Sequence, residues 1–242
     1  MLAYVRLELT RTVRDATFVV FGIGLPVIMY LIFTNMGLAP GDKHDAALFT
    51  MVSMAAYGGM GAAFNNGTGL AEDRTLGWLR QLRLSPLSTS TVLAGRTITG
   101  MVIVVPAIAA VLLAGQLING VSMNALQWLS IVVLLWLGTL PFTLLGLANG
   151  YLLSGQTAGV VNFGANFGLA IIGGLWLPTT TFPGWLKAIS TWTPTHAYAD
   201  LSWRVAFGHA PGAQSIAVLV GWLVAFGIYA QYAYRRAGRH AR

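Results

Sequence analysis

Six apolar stretches, each close to the roughly 20 residues that a helix needs to cross a bilayer, divide this 242-residue chain and leave little between them. They fall at 16–36, 46–70, 97–118, within 126–153, at 158–176 and at 213–234. Charged residues make up 9% of the chain, against roughly 25% in an average soluble domain. In lipid, each backbone N–H and C=O must find its partner inside the protein, so stretches of this kind fold as helices. The expected fold is an all-α polytopic membrane protein, one transmembrane domain over residues 1–242 with six transmembrane helices.

One long segment does not belong in lipid. Residues 72–96, EDRTLGWLRQLRLSPLSTSTVLAGR, hold two acids, four arginines and Pro86 between two apolar blocks. Such a segment needs water or a protein surface, and it is expected to form a loop over 71–95. Two other regions depart from plain spans. At the N-terminus, Leu2, Val5, Leu9 and Val13 recur at helical steps opposite Arg6, Glu8, Arg11, Arg14 and Asp15, which predicts an amphipathic helix over 1–15 on the membrane surface. Residues 177–212 carry Pro178, Pro183, Pro194 and Pro211, with Trp185, Leu186, Ile189 and Trp192 at near-helical spacing. Short outer helices, re-entrant or interfacial, fit that mixture.

Charge counting sets the expected orientation. With the N-terminus inside, eleven arginines lie on the cytoplasmic side, and only Lys43, Lys187 and Arg204 lie outside. The positive-inside rule then places both termini and the 72–96 segment in the cytoplasm. No ionisable residue is expected in the middle of a span, and Arg96 is expected at the cytoplasmic mouth of the third, where it can snorkel.

Several chemistries lack their residues. There is no cysteine, hence no disulfide or thiolate site. The basic residues flank apolar runs instead of forming one stripe with aromatics, which argues against nucleic acid. His44, His196, His209 and His240 lie in loops or the tail, away from any nucleophile at membrane depth, and no metal-ligand spacing is present. The first apolar run starts at Phe18 without a cleavage site after a short core, unlike a signal peptide. Neither lysine follows a phosphate-binding glycine loop, so ATP hydrolysis by this chain itself is not expected.

The run Glu72, Arg74, Gly77, Trp78, Leu79, Arg80, Gln81, Leu82, Arg83, Ser85, Pro86, Leu87 resembles the cytoplasmic loop of ABC-2 type transporter permeases, particularly bacterial drug-export members. The family form is an E-R pair, a glycine three residues on, an apolar-rich helix and then T-P-L or S-P-L. Here Asp73 stands between Glu72 and Arg74. The N-terminal helix, the six spans, an outer Pro-rich segment at 178–186 ending in Trp-Leu, and Thr193-Pro194 follow the family order as well.

The resemblance implies that Glu72, Asp73, Arg74, Gly77, Trp78, Leu79, Arg80, Leu82, Arg83, Pro86 and Leu87 form a coupling helix that docks on a separate ATP-binding subunit. That partner would hold ATP and Mg, and this chain would carry no cofactor and no catalytic residue. If 74–84 is helical, Leu76, Leu79, Arg80 and Arg83 share one face, and Pro86 ends it. Glu72 and Asp73 would then sit near a helix start, where the dipole favours acids.

The resemblance also implies two permease copies, identical or related, with a pathway between them lined chiefly by the second and fifth spans. Phe64, Asn65, Asn162, Phe163, Asn166 and Phe167 are the candidates there. Asn162 and Asn166 share a face, and interhelical hydrogen bonding is their competing role. Pro183, Trp185, Leu186 and Trp192 would form an outer gate, or else a passive cap. The implied function is ATP-driven export of an amphiphilic small molecule (drug, antibiotic or lipid-like) across the bacterial cytoplasmic membrane. The alternative is an ATP-independent secondary transporter, or a membrane subunit of a sensing or immunity system.

Overall fold

The computed structural model describes residues 18–36, 41–75 and 89–239, and within these there is no strand. The expected surface helix over 1–15, and the coupling segment from Leu76 to Leu87, lie outside the described residues. A π-helical turn, Phe18–Gly24, leads into α1 (Leu25–Met36). There follow α2 (Lys43–Thr75), α3 (Thr89–Asn119), α4 (Ala125–Gly138), α5 (Leu140–Leu152) and α6 (Gly155–Ile172). After a 3-10 turn at Thr179–Thr181 come α7 (Gly184–Ser190), α8 (Pro194–Ala206) and α9 (Ala213–Arg239).

Four described segments are long and apolar enough to cross a membrane: Lys43–Arg74, Leu93–Asn119, Ala125–Leu152 and Ala213–Ala237. The other two expected spans are helical at α1 and α6 but fall short of that measure. Gly22–Met36 is a shorter apolar helix, and the 18 residues of α6 include Gln156, Asn162 and Asn166.

The prolines explain the breaks. Pro26 has no N–H to donate, and the backbone before it opens into the π turn. The expected fourth span is two helices, because Pro141 sits in the first turn of α5 and Thr139 joins it to α4. Pro106 lies within α3, which continues past it. At the start of α4, Asn124 Oδ1 accepts from the Gln127 backbone N–H (2.8 Å) and Gln127 Oε1 accepts from the Asn124 N–H (3.0 Å), a reciprocal cap.

Helix α2 is the central post. Of its most apolar window 89% is buried, against 11% for α9, which lies at the rim with most of its surface free for lipid. α1, α3, α5, α6 and α8 all pack on α2. They come close because α2 is lined with small residues: a Cβ on Gly58 would meet Pro26 Cγ at 3.1 Å, and one on Gly59 would meet Ile108 Cγ1 at 3.0 Å. The closest crossing is with α5, where a methyl on Gly67 would overlap the Gly146 carbonyl and one on Gly150 would overlap the Gly67 carbonyl. Lipid tails are as apolar as the side chains, so contact of this kind, with weak Cα–H···O bonds, replaces the hydrophobic drive.

The helix ends gather at two poles. At one, Tyr30 OH donates to Asn119 Oδ1 (2.9 Å), and Gln127 Nε2 reaches the Val205 carbonyl (3.3 Å). At the other, the last turn of α2 meets the end of α5 and the start of α6. Helix α8 is not a surface helix. Tyr198 is fully buried and donates to the Leu135 carbonyl (2.9 Å), Trp203 Nε1 donates to Ser53 Oγ (3.0 Å), and Thr195 Oγ1 approaches Met60 Sδ (3.9 Å), midway along α2. The N-terminus of α8 therefore reaches into the bundle, capped by Thr193, whose side chain accepts the His196 N–H.

The glycine crossing makes a direct test. Gly67→Ala is expected to lower stability by about 1–3 kcal/mol through overpacking, read as a fall in the thermal midpoint of the detergent-solubilised protein. Gly69→Ala, on the same helix but with nothing within 4 Å, is expected not to lower that midpoint.

Candidate functional site: an amide-lined cleft beside helix α6

Helix α6 is two-faced. Ala158, Asn162, Asn166 and Ala170, one helical turn apart, are buried, whereas Val160, Val161, Phe163 and Phe167 are exposed. Between its buried edge, the upper half of α2 and the start of α1 runs a cleft of about 310 Å³, at the lower end of the roughly 300–1,000 Å³ usual for small-molecule pockets. Gly22, Leu25, Tyr57, Gly61, Phe64, Asn65, Thr68, Gly159, Asn162, Phe163 and Asn166 line it, and no charged side chain is among them.

Five of the six residues expected to line a pathway thus come together at one cleft. The sixth, Phe167, stands behind it, stacked on Phe163 (6.2 Å between ring centres) and edge-on to Trp176 (4.8 Å). The contributions of Tyr57, Gly61, Thr68 and Gly159 were not anticipated. Their signal was present as periodicity, because Tyr57, Gly61, Asn65 and Thr68 follow one face of α2, and Gly159 lies one turn before Asn162 and Phe163.

The two central amides differ. Asn162 Nδ2 donates to the Phe64 carbonyl (3.1 Å) and to Thr68 Oγ1 (3.1 Å), and its Oδ1 accepts from Asn149 Nδ2 (2.7 Å). Tyr229 OH of α9 donates to Asn149 Oδ1 at 3.4 Å. One polar chain therefore ties α2, α5, α6 and α9 together, and Asn162 holds helices with its amide. Asn166 is 8% exposed, yet its Oδ1 has no partner. Gly61 leaves room for its amide, since a Cβ there would meet Asn166 Nδ2 at 3.3 Å.

The root of the coupling segment has a different arrangement from the one expected. α2 runs on to Thr75, so Glu72 and Asp73 stand well inside a helix and not at the start of one. Arg74 Nη1 donates to the Gly150 carbonyl (2.8 Å) and to that of Tyr151, the carbonyls that the end of α5 would otherwise leave open. A cation at a helix C-terminus also complements its dipole. Asp73 pairs with Arg96 (3.6 Å), and Glu72 packs over Gly155 at the start of α6. Arg96, expected at the cytoplasmic mouth of the third span, is buried, with its guanidinium 3.6 Å from the Asp73 carboxylate. Gly77, Trp78, Leu79, Arg80, Leu82, Arg83, Pro86 and Leu87 lie outside the described residues.

At the opposite pole Pro183 precedes α7, Leu186 is half-buried, and Trp185 and Trp192 are mostly exposed. The Trp192 carbonyl accepts from Trp222 Nε1 of α9 (2.9 Å), which fastens the end of this segment to the last span. An open groove of about 480 Å³ follows α9 there, between Trp192, Gln214, Val218 and Trp222. Among the described residues no cluster of His, Asp or Glu has the makings of a metal site.

A helical bundle with apolar spans and a cleft lined by amides and aromatic rings has the build of a membrane transport protein. Residues 42–230 match the family described as ABC-2 family transporter protein, and the chain belongs to that family. Over 231 residues, 95% of this chain and 94% of the relative, it is 26% identical to the protein named "Putative transport permease YvfS" of Bacillus subtilis (strain 168). It is accordingly a multi-pass permease of the ABC-2 type, the membrane component of a transporter class that works with an ATP-binding subunit.

The amides separate by what they hold. Asn162→Leu is expected to cost about 1–3 kcal/mol, since it strands Asn149 and the Phe64 carbonyl, whereas Asn166→Leu is expected to be neutral or mildly stabilising. Thermal unfolding of the two variants in the same detergent checks the contrast. Arg74→Gln should fall nearer Asn162→Leu, because it uncaps the end of α5.

Proposed function

We propose that the chain is the membrane-spanning half of an ATP-driven exporter that moves an amphiphilic small molecule outward across the bacterial cytoplasmic membrane. The observation that supports this reading is the cleft, which brings amides and aromatic rings together beside the exposed face of α6. A single copy leaves the cleft open on that side, so a second permease copy, identical or related, is assigned to the α6 face. There Gly164 and Gly168, with open space around both, permit close helix approach.

In this mechanism a separate ATPase holds ATP and Mg, closes on nucleotide, and moves the segment from Glu72 to Leu87. Arg80, Arg83, Trp78, Leu79 and Leu82 supply the docking face. Asp73 and Arg74 pass the motion on, because they are fastened to α3 and to the end of α5. Both termini are assigned to the cytoplasm, and the Pro183 to Trp192 segment to the outer exit, where it opens or caps the cleft.

Two experiments test the reading. In the first, the tagged permease is purified from membranes with its ATP-binding partner. Leu82→Asp and Arg80→Glu are expected to cut partner recovery about tenfold or more, in keeping with the loss of an interface anchor, with the permease still in the membrane. Undiminished recovery with both variants, or transport that persists without ATP, would refute it. In the second, Gly164→Cys is placed in a chain that has no cysteine of its own. A disulfide-linked dimer in oxidised membranes is expected, and its absence from Gly164→Cys and Gly168→Cys alike would remove the α6 face as the interface.

A further inference from the structure

From the buried, unpartnered amide of Asn166 in the cleft, we infer that the site selects an uncharged cargo whose polar group both donates and accepts hydrogen bonds, such as a carboxamide, and selects against ammonium and carboxylate amphiphiles. This rests on the export reading for the name cargo, but not for the chemistry of the site.

The argument begins with which polar groups in the cleft are already engaged. Asn162 is spent on Phe64, Thr68 and Asn149, at 2.7–3.1 Å. Thr68 Oγ1 accepts from Asn162 and points back toward the Phe64 carbonyl (3.5 Å). The amide of Asn166 is more than nine-tenths buried, lines the cleft, and leaves Oδ1 without a partner. A buried polar atom in that condition is costly; a turn of the Asn166 amide toward the cleft lets a ligand complete it and recover the loss. Asn65, exposed on the facing wall of α2, offers a second amide at the rim. An amide carries both a donor and an acceptor, so amides at this cleft suit a group that has both.

The same walls disfavour charge. Among the described residues, no side chain of Asp, Glu, Lys, Arg or His lines the cleft. The nearest acids along α2 are Glu72 and Asp73, a turn beyond Thr68; neither lines the cleft, and Asp73 is engaged with Arg96. An ammonium or carboxylate would enter without a counter-ion, and its desolvation would go unanswered. The apolar part of the ligand meets Tyr57, Phe64 and Phe163, which favours a flat ring system.

The test uses the full-length permease in nanodiscs, without ATP, and three probes that share one tail: 2-naphthylacetamide, 2-naphthylacetate and 2-naphthylmethyl-trimethylammonium. Equilibrium binding is measured by scintillation proximity with tritiated probes. The carboxamide is expected to bind roughly tenfold more tightly than either ion, the size of one completed buried hydrogen bond. Asn166→Leu should erase that preference, and Asn166→Asp should turn it toward the ammonium. Gly61→Ala, which crowds the Asn166 amide without altering it, should weaken carboxamide binding alone. Thermal midpoints confirm that each variant is folded. Equal or tighter binding of an ion to the wild type, a preference that survives Asn166→Leu, or no binding of any probe overturns the inference. ATP-dependent uptake into inverted vesicles is measured separately, so failure of the export reading is distinguishable from failure of the site chemistry.

Discussion

Where α2 crosses α5 the two backbones touch through Gly67, Gly146 and Gly150, and much else in the bundle follows from that contact. With no side chain between the helices, the end of α5 lies close enough for Arg74 to reach the carbonyls of Gly150 and Tyr151. Asn149, the residue just before, is brought within reach of Asn162 on α6 and Tyr229 on α9. Three neighbouring residues of α5 therefore hold four helices. In lipid this matters more than in water, because packing and polar bonds must do what apolar association does in a soluble core.

The cleft is the place where this close packing stops. Along one stripe of α6, Ala158 and Ala170 pack as apolar residues and Asn162 is fully bonded, but Asn166 faces a space with nothing to answer its Oδ1. Natural folds leave such atoms unpartnered rarely. Tyr57, Phe64 and Phe163 surround the space with rings, and Gly22, Gly61 and Gly159 keep it from filling. A polar vacancy between aromatic walls, without charge, is a description of what can enter as much as of the protein.

Much of this was legible in the residues. Helical structure was read from apolar length, and the small-residue face of α2 was visible as Ala55, Gly58, Gly59, Gly61, Ala62 and Ala63. Phe64, Asn65, Asn162, Phe163 and Asn166, expected to line a pathway between two copies, lie together at one cleft of this chain. Other features were out of reach. Nothing in the local sequence says that Asp73 meets Arg96, or that Arg74 crosses to residues 76 and 77 positions away. Helix α8 looked like an interfacial piece because Trp and Pro suit that depth, yet its Tyr198, Thr195 and Trp203 are answered by Leu135, Met60 and Ser53 inside the bundle.

By itself, the sequence determined that the chain is helical and membrane-embedded, since long apolar runs in lipid have no other way to satisfy their backbone. It also determined the family, through the motif around Glu72 to Leu87 and the order of elements along the whole length. Only the tertiary structure decided the fate of each polar residue. Asn162 and Asn166 stand four residues apart on one face and are the same amino acid, so no local rule separates them. One became a helix fastener because Asn149 and Thr68 come to it from other helices, and the other was left without a partner at the cleft because Gly61, beside its amide, has no side chain to offer. A hydrogen bond needs two partners, and which partners arrive is settled by the packing of distant segments.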